Sequence, residues 1–227
     1  MNIPTFNKET NHYKLLRKQP HWQGEHQIDT GIKSEDTMLD TSDDKYIFNC
    51  SNRGRVAIFI DGSNLFHASL QLSIEIDYAK LLCCLTKNAR LLRAFFYTGV
   101  DRTNDKQQGF LLWMRRNGYR VVTKDLVQLP DGSKKANLDV DIAVDMINLA
   151  PYYDTAVLAS GDGDLAYAVN ALSYQGVRVE VVSVRSMTSD SLIDVADCFI
   201  DLDSIKQHIQ KDSHPGYQYR HLSNSSL

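Results

Sequence analysis

Between residues 55 and 211 the chain alternates short apolar runs with longer segments whose apolar positions recur every three or four residues. Arg55–Ile60, Leu91–Thr98, Tyr119–Thr123, Thr155–Ala159, Val177–Val184 and Cys198–Asp201 read as strands. Their runs are brief, rich in β-branched and aromatic residues, and bounded by turn formers. Helical periodicity predicts helices over Asp77–Lys87, Asp105–Asn117, Asn137–Ala150, Asp164–Gln175, Ser189–Asp197 and Leu202–Gln210, and a short one over Phe66–Leu72. Asp77 is a natural N-cap, and Gly118 and Gly176 close their helices. Phe110, Trp113 and Met114 are expected along one side of their helix, and Leu138, Ile142, Met146 and Leu149 form the stripe of another. Leu126–Lys134 carries the turn Pro130-Asp131-Gly132 and reads as a small hairpin or flap. Strands alternating with helices predict an α/β fold with a parallel sheet covered on both faces.

The flanks lack this rhythm. Residues 1–54 are polar, hold an acidic tract from Glu35 to Asp44, and sustain no period of 2 or 3.6. They are expected to form a largely disordered arm, with Tyr46-Ile47-Phe48 as a short strand or docking segment. Residues 212–227 are expected to be a flexible tail. The globular part is therefore expected to span 55–211.

Bulk chemistry narrows the options. A net charge of −3 argues against a chain that is basic throughout and clamps nucleic acid non-specifically. Cys50, Cys83, Cys84 and Cys198 show no CxxC spacing, which disfavours zinc. Cys83 and Cys84 read as small core fillers, and a reducing compartment fits. No apolar run approaches the ~18–20 residues of a membrane span, and the start does not resemble a signal peptide. A soluble, cytoplasmic protein with no membrane contact is expected.

Within 55–211 there are seventeen Asp against two Glu. Two of the apolar runs end in carboxylates: Phe59-Ile60-Asp61-Gly62-Ser63-Asn64 and Ala159-Ser160-Gly161-Asp162-Gly163-Asp164. In an open parallel sheet, ligands bind outside the carboxyl ends of strands. Asp61, Asp162 and Asp164 would then share one crevice. Clustered carboxylates repel unless a cation sits among them, and oxygen donors suit Mg²⁺ or Mn²⁺. Each acid also has a plain structural reading. Asp61 can cap the next helix, and Asp164 can cap the one that begins near Leu165. Asn64 can orient a substrate, bond Asp61, or form an Asx turn. Ser160 can offer its hydroxyl to a metal or phosphate. Asp139 stands near a helix start, where the dipole favours an acid in any case. Asp141 and Asp145 share a face of that helix.

From 115 to 135 six basic residues face two acidic ones. With Lys134 and Lys135 this segment reads either as a phosphate-binding stripe or as a solvated face. His67 reads as a helix-surface or packed histidine. No GxGxxG, P-loop or GxSxG motif occurs. An aspartyl-nucleophile phosphatase would want a second Asp two residues after Asp61, where Ser63 stands.

Taken in order, Phe59–Asn64, Leu138–Asp145, Ser160–Leu165, Gly176–Val179 and Cys198–Leu202 resemble the NYN domain family of PIN-like nucleases, and within it the LabA-like group. The resemblance covers roughly 55–205. It implies a Rossmann-like three-layer α/β/α sandwich and a metal-dependent ribonuclease site. Asp61, Asp139, Asp162 and Asp164 match the family's acidic cluster, Asn64 its polar partner, and Asp145 a further acid. The wider PIN pattern often has a glutamate on an intervening helix, and Asp105–Asn117 has none.

The expected activity is hydrolysis of RNA, single-stranded by preference, with Mg²⁺ or Mn²⁺ held by Asp61, Asp139, Asp162 and Asp164. The expected alternative is a non-catalytic regulatory module that binds RNA or protein and keeps the fold. A phosphatase or nucleotide hydrolase is a third reading. A regulatory protein partner is compatible with either leading reading, and exposed strand edges leave room for a homodimer.

Overall fold

The computed structural model describes residues 52–212, except 129, 131 and 133. In chain order the elements are β1 (Arg55–Asp61), α1 (Gly62–Gln71), α2 (Tyr78–Leu85), β2 (Arg90–Val100), α3 (Asp105–Arg116), β3 (Tyr119–Asp125), β4 (Val127–Gln128), β5 (Lys134–Lys135), α4 (Asp139–Leu149), β6 (Thr155–Ala159), α5 (Ala166–Tyr174), β7 (Arg178–Ser183), α6 (Asp190–Val195), β8 (Cys198–Asp201) and α7 (Leu202–Ile209). Six strands form one sheet in the order β3-β2-β1-β6-β7-β8, every neighbouring pair parallel. The chain builds outward from β1 to one edge, then crosses back and builds from β6 to the other. The order therefore reverses between β1 and β6, which is where such sheets open a crevice.

Strand β1 shows why the sheet is sandwiched. Val56 to Ile60 are all fully buried, so both faces must be covered. Val56, Ile58 and Ile60 pack with apolar residues of α1, α2, α3 and α7. Ala57 and Phe59 pack with those of α4, α5 and α6. The result is the α/β/α sandwich.

Several local expectations change. Helix α1 begins at Gly62 rather than Phe66, because Asp61 caps it. Asp164 lies in a 3₁₀ turn, Gly163–Leu165, and Asp162 rather than Asp164 is its cap. On α3 the buried positions are Leu111 and Met114, while Trp113 is 40 % exposed. The helix phase thus puts Leu111 where the spacing suggested Trp113. Cys83 is exposed, not a core filler. The flap resolves to a two-stranded antiparallel pair, β4 with β5.

Arg53 belongs to the stretch read as the arm, yet it is 1 % exposed. Its guanidinium donates to both oxygens of buried Glu180 on β7, at 3.2 and 2.7 Å. It also donates to the carbonyls of Leu85 and Lys87 at 2.9 Å each. It thereby ties the segment before β1 to the loop before β2 and to β7. Residues 1–51 of the arm expected over 1–54, Tyr46–Phe48 included, and the tail beyond Asp212 lie outside the described residues. No helix among the described residues is long and apolar enough to cross a membrane.

Candidate metal centre

Ile60 on β1 pairs with Ala159 on β6, so the two chains leave the sheet side by side at the reversal point. Each exit needs a glycine for close approach. A Cβ on Gly62 would lie 2.8 Å from the Tyr97 carbonyl oxygen, and one on Gly161 would lie 2.4 Å from that of Met187.

The loops are then locked together by side chains. Asp61 Oδ1 accepts from the backbone N–H groups of Ser63 and Asn64 at 2.9 and 3.1 Å. Asn64 Oδ1 accepts from Gly161 N–H at 3.1 Å, joining the β1 exit to the β6 exit. Ser160 Oγ accepts from Asp162 N–H at 3.2 Å, and Asp162 Oδ1 from Asp164 N–H at 3.0 Å. On the third side, Asn137 Oδ1 accepts from Asp139 N–H at 3.0 Å at the head of α4.

The outcome is a cleft of about 260 Å³ lined by Asp61, Asn64, His67, Lys135, Asp139 and Asp162, among others. Asn137, Leu138 and Asp139, at the head of α4, line this rim, which brings Asp139 into the cleft. Carboxylate oxygens of Asp139, Asp162 and Asp164 all lie within 4.8 Å of one another. Two oxygens bound to one ion at 2.0–2.6 Å can be at most about 5 Å apart. The three carboxylates therefore fit a hard divalent cation.

Electrostatics agree. Burial pushes the Asp139 carboxyl up from its ordinary value, and the charges of Asp162, Asp61 and Asp164 push the same way. Burial also raises Asp61; its two backbone hydrogen bonds oppose that rise, and the charge of Asp162 adds to it. Asp139 and Asp61 thus feel the negative charges of the neighbouring acids.

The sequence-predicted residues divide. Asp139, Asp162 and Asp164 converge. Asp61 lines the same cleft but falls outside that three-oxygen set. Asn64 holds the loops together rather than turning on itself. Ser160, whose hydroxyl the sequence offers to a metal or phosphate, is fully buried; its Oγ accepts from Asp162 N–H, and its hydrogen bond to Asp61 opposes the rise of that carboxyl. Lys135 lines the cleft, whereas the side chain of Lys134 lies outside the described part. The basic segment 115–135 is not one stripe. Lys124 is paired with Asp141 at 2.8 Å, and Arg115 and Arg120 line a separate hollow. Asp145 accepts from the Tyr97 hydroxyl at 2.9 Å and serves packing. His67, Thr98 and Asn137 line the cleft without having been singled out for it. For His67 the signal was available: it stands three residues after Asn64, hence on the same side of α1.

Parallel sheet, reversed strand order and acids at the reversal define a doubly wound α/β fold with a cation-compatible cleft at its switch point. The chain belongs to the NYN domain family, whose model matches residues 55–203, and to its LabA-like group. It is 36% identical over 169 residues to the low amplitude and bright protein LabA of Synechococcus elongatus, covering 71% of this chain and 90% of that one. Among solved structures it resembles a protein of unknown function from Vibrio parahaemolyticus, with a TM-score of 0.61 and 30% identity, over 69% of this chain and 96% of that one.

Proposed function

We propose that the protein is a metal-dependent ribonuclease that hydrolyses phosphodiester bonds of single-stranded RNA in the cytoplasm, within RNA-level control of gene expression. The observation that carries this reading is the convergence of Asp139, Asp162 and Asp164 beside Asp61 at the point where strand order reverses. Membership of the NYN family supports RNA as the substrate class.

Asp139, Asp162 and Asp164 would hold Mg²⁺ or Mn²⁺, with Asp61 adding a fourth negative charge to the cleft. A divalent ion so held supplies Lewis acidity toward a phosphate and lowers the pKa of water. Asn64 and Ser160 fix the loop that carries Asp162. Lys135 stands at the exposed rim of the cleft, where it can take a phosphate oxygen. No side chain is needed as a nucleophile.

The test is cleavage of labelled single-stranded RNA in Mn²⁺, Mg²⁺ or EDTA, beside Asp139→Asn and Asp162→Asn. Cleavage that requires the metal and both aspartates supports the proposal. A folded protein that binds RNA but never cuts it would favour the regulatory module instead.

A further inference from the structure

The arginines of the described region fall into two groups. Arg53, Arg55, Arg102, Arg178 and Arg185 each pair with a carboxylate. Arg90, Arg93, Arg115, Arg116 and Arg120 are all exposed, and none has a carboxylate partner among the described residues. The unpaired group is confined to the start of β2, the end of α3 and the start of β3. Three of its members, Arg93, Arg115 and Arg120, line a single open hollow of about 650 Å³ with Gly118, Tyr119, Val121 and Val122, and no acid lines it.

That partition needs a cause. An acid-rich chain has carboxylates to spare, yet leaves like charges together in one hollow, where they repel. Guanidinium groups gathered without partners match a bound anion, and their planar forks suit phosphate. The hollow lies at the beginning of β2 and β3, whereas the acidic cleft lies at their far end. Arg93 and Thr98 are five positions apart on β2, about 17 Å at the strand rise, and Thr98 lines the acidic cleft. About five stacked nucleotides, at ~3.4 Å each, cover that span. Strand β3 is the sheet edge, and Arg120 and Lys124 are exposed along it.

We infer that Arg93, Arg115 and Arg120 form a phosphate-binding exosite that anchors an RNA strand along the β3 edge while another part of the strand reaches the acidic cleft. The inference rests on the reading of the chain as RNA-acting, but its binding is separate from its chemistry. An anchor of this kind also answers an electrostatic difficulty: four acids in a cleft repel a polyanion, so affinity must come from elsewhere on the surface.

The test is binding of a labelled 20-nucleotide single-stranded RNA to the full chain in EDTA, by fluorescence anisotropy across a range of salt. The variant Arg93→Ala/Arg115→Ala/Arg120→Ala is expected to bind more weakly. Its slope of log affinity against log salt should be shallower by about 2, from three lost contacts at ~0.7 each. The matching triple change to Lys should retain most of the slope. Equal affinity and slope in the alanine variant would overturn the proposal. So would RNA binding left intact alongside a loss of poly-glutamate binding, which would assign the hollow to an acidic protein. Because the readout needs neither metal nor cleavage, failure of the nuclease reading would show in the cleavage assay and not here.

Discussion

Asp139 and Asp61 both have their charged forms disfavoured by folding. A carboxyl with a raised pKa holds its proton longer in the folded chain than in the unfolded one. Its contribution therefore turns unfavourable as pH rises from the ordinary value near ~3.9 through the raised one, and stays so at neutral pH. Asp139→Asn should accordingly melt higher than the parent in EDTA at pH 7, with the gap closing as pH falls below the ordinary carboxylate value. The same change should abolish any rise in Tm caused by Mn²⁺. Thermal unfolding of both proteins with and without Mn²⁺ reads this directly, and a variant that melts lower in EDTA would count against the electrostatic picture. Gly161 gives a second residue-level expectation. Its missing Cβ is what lets the β6 exit pass the Met187 carbonyl. Gly161→Ala should cost about 1–3 kcal/mol by overpacking and displace Asp162, so denaturant unfolding and cation affinity should both suffer.

At the scale of elements, the Arg53–Glu180 pair joins three segments at the N-terminal end of the sheet. Both side chains are buried; without Arg53, Glu180 keeps its bond to Arg178 at 2.9 Å, but one carboxylate oxygen and the carbonyls of Leu85 and Lys87 lose their donor. Arg53→Ala should cost about 1–3 kcal/mol, measured as a lower denaturant midpoint. This pair also marks where sequence reading runs out. Strands such as Arg55–Ile60 and Thr155–Ala159 were legible because burial on both faces demands unbroken apolar runs. Helix α4 was legible from Leu138, Ile142 and Met146. Arg53 was not, because a polar residue in a polar stretch carries no sign of a partner 127 positions away. The start of α1 is hard to read for a related reason: Asp61, readable as a site residue or a cap, caps α1 while also lining the acidic cleft, so the helix begins immediately behind it. Of the site, the three converging aspartates were legible as strand-end and helix-start acids. The burial of Ser160 and the link from Asn64 to Gly161 depend on how two distant loops meet, which no local pattern encodes.

At the largest scale, two charge groups among the described residues sit at opposite ends of the sheet. Acids gather where β1 and β6 end, and unpaired arginines gather where β2 and β3 begin. A chain of net charge −3 can thus hold a cation at one end and offer guanidinium groups at the other. Ionic strength should weaken RNA binding while leaving Mn²⁺ binding in the cleft less affected, since the latter is a short-range contact among partly buried groups. Parallel titrations at low and high salt check this. The central claim is that aspartates from the β6 exit and the head of α4 together hold a divalent cation. Electron paramagnetic resonance of Mn²⁺ titrated into the wild type, Asp139→Asn and Asp162→Asn tests it most directly. Bound Mn²⁺ in the wild type that is lost in each folded variant is the predicted result. Wild type that leaves Mn²⁺ free, or variants that bind it equally well, would contradict the account.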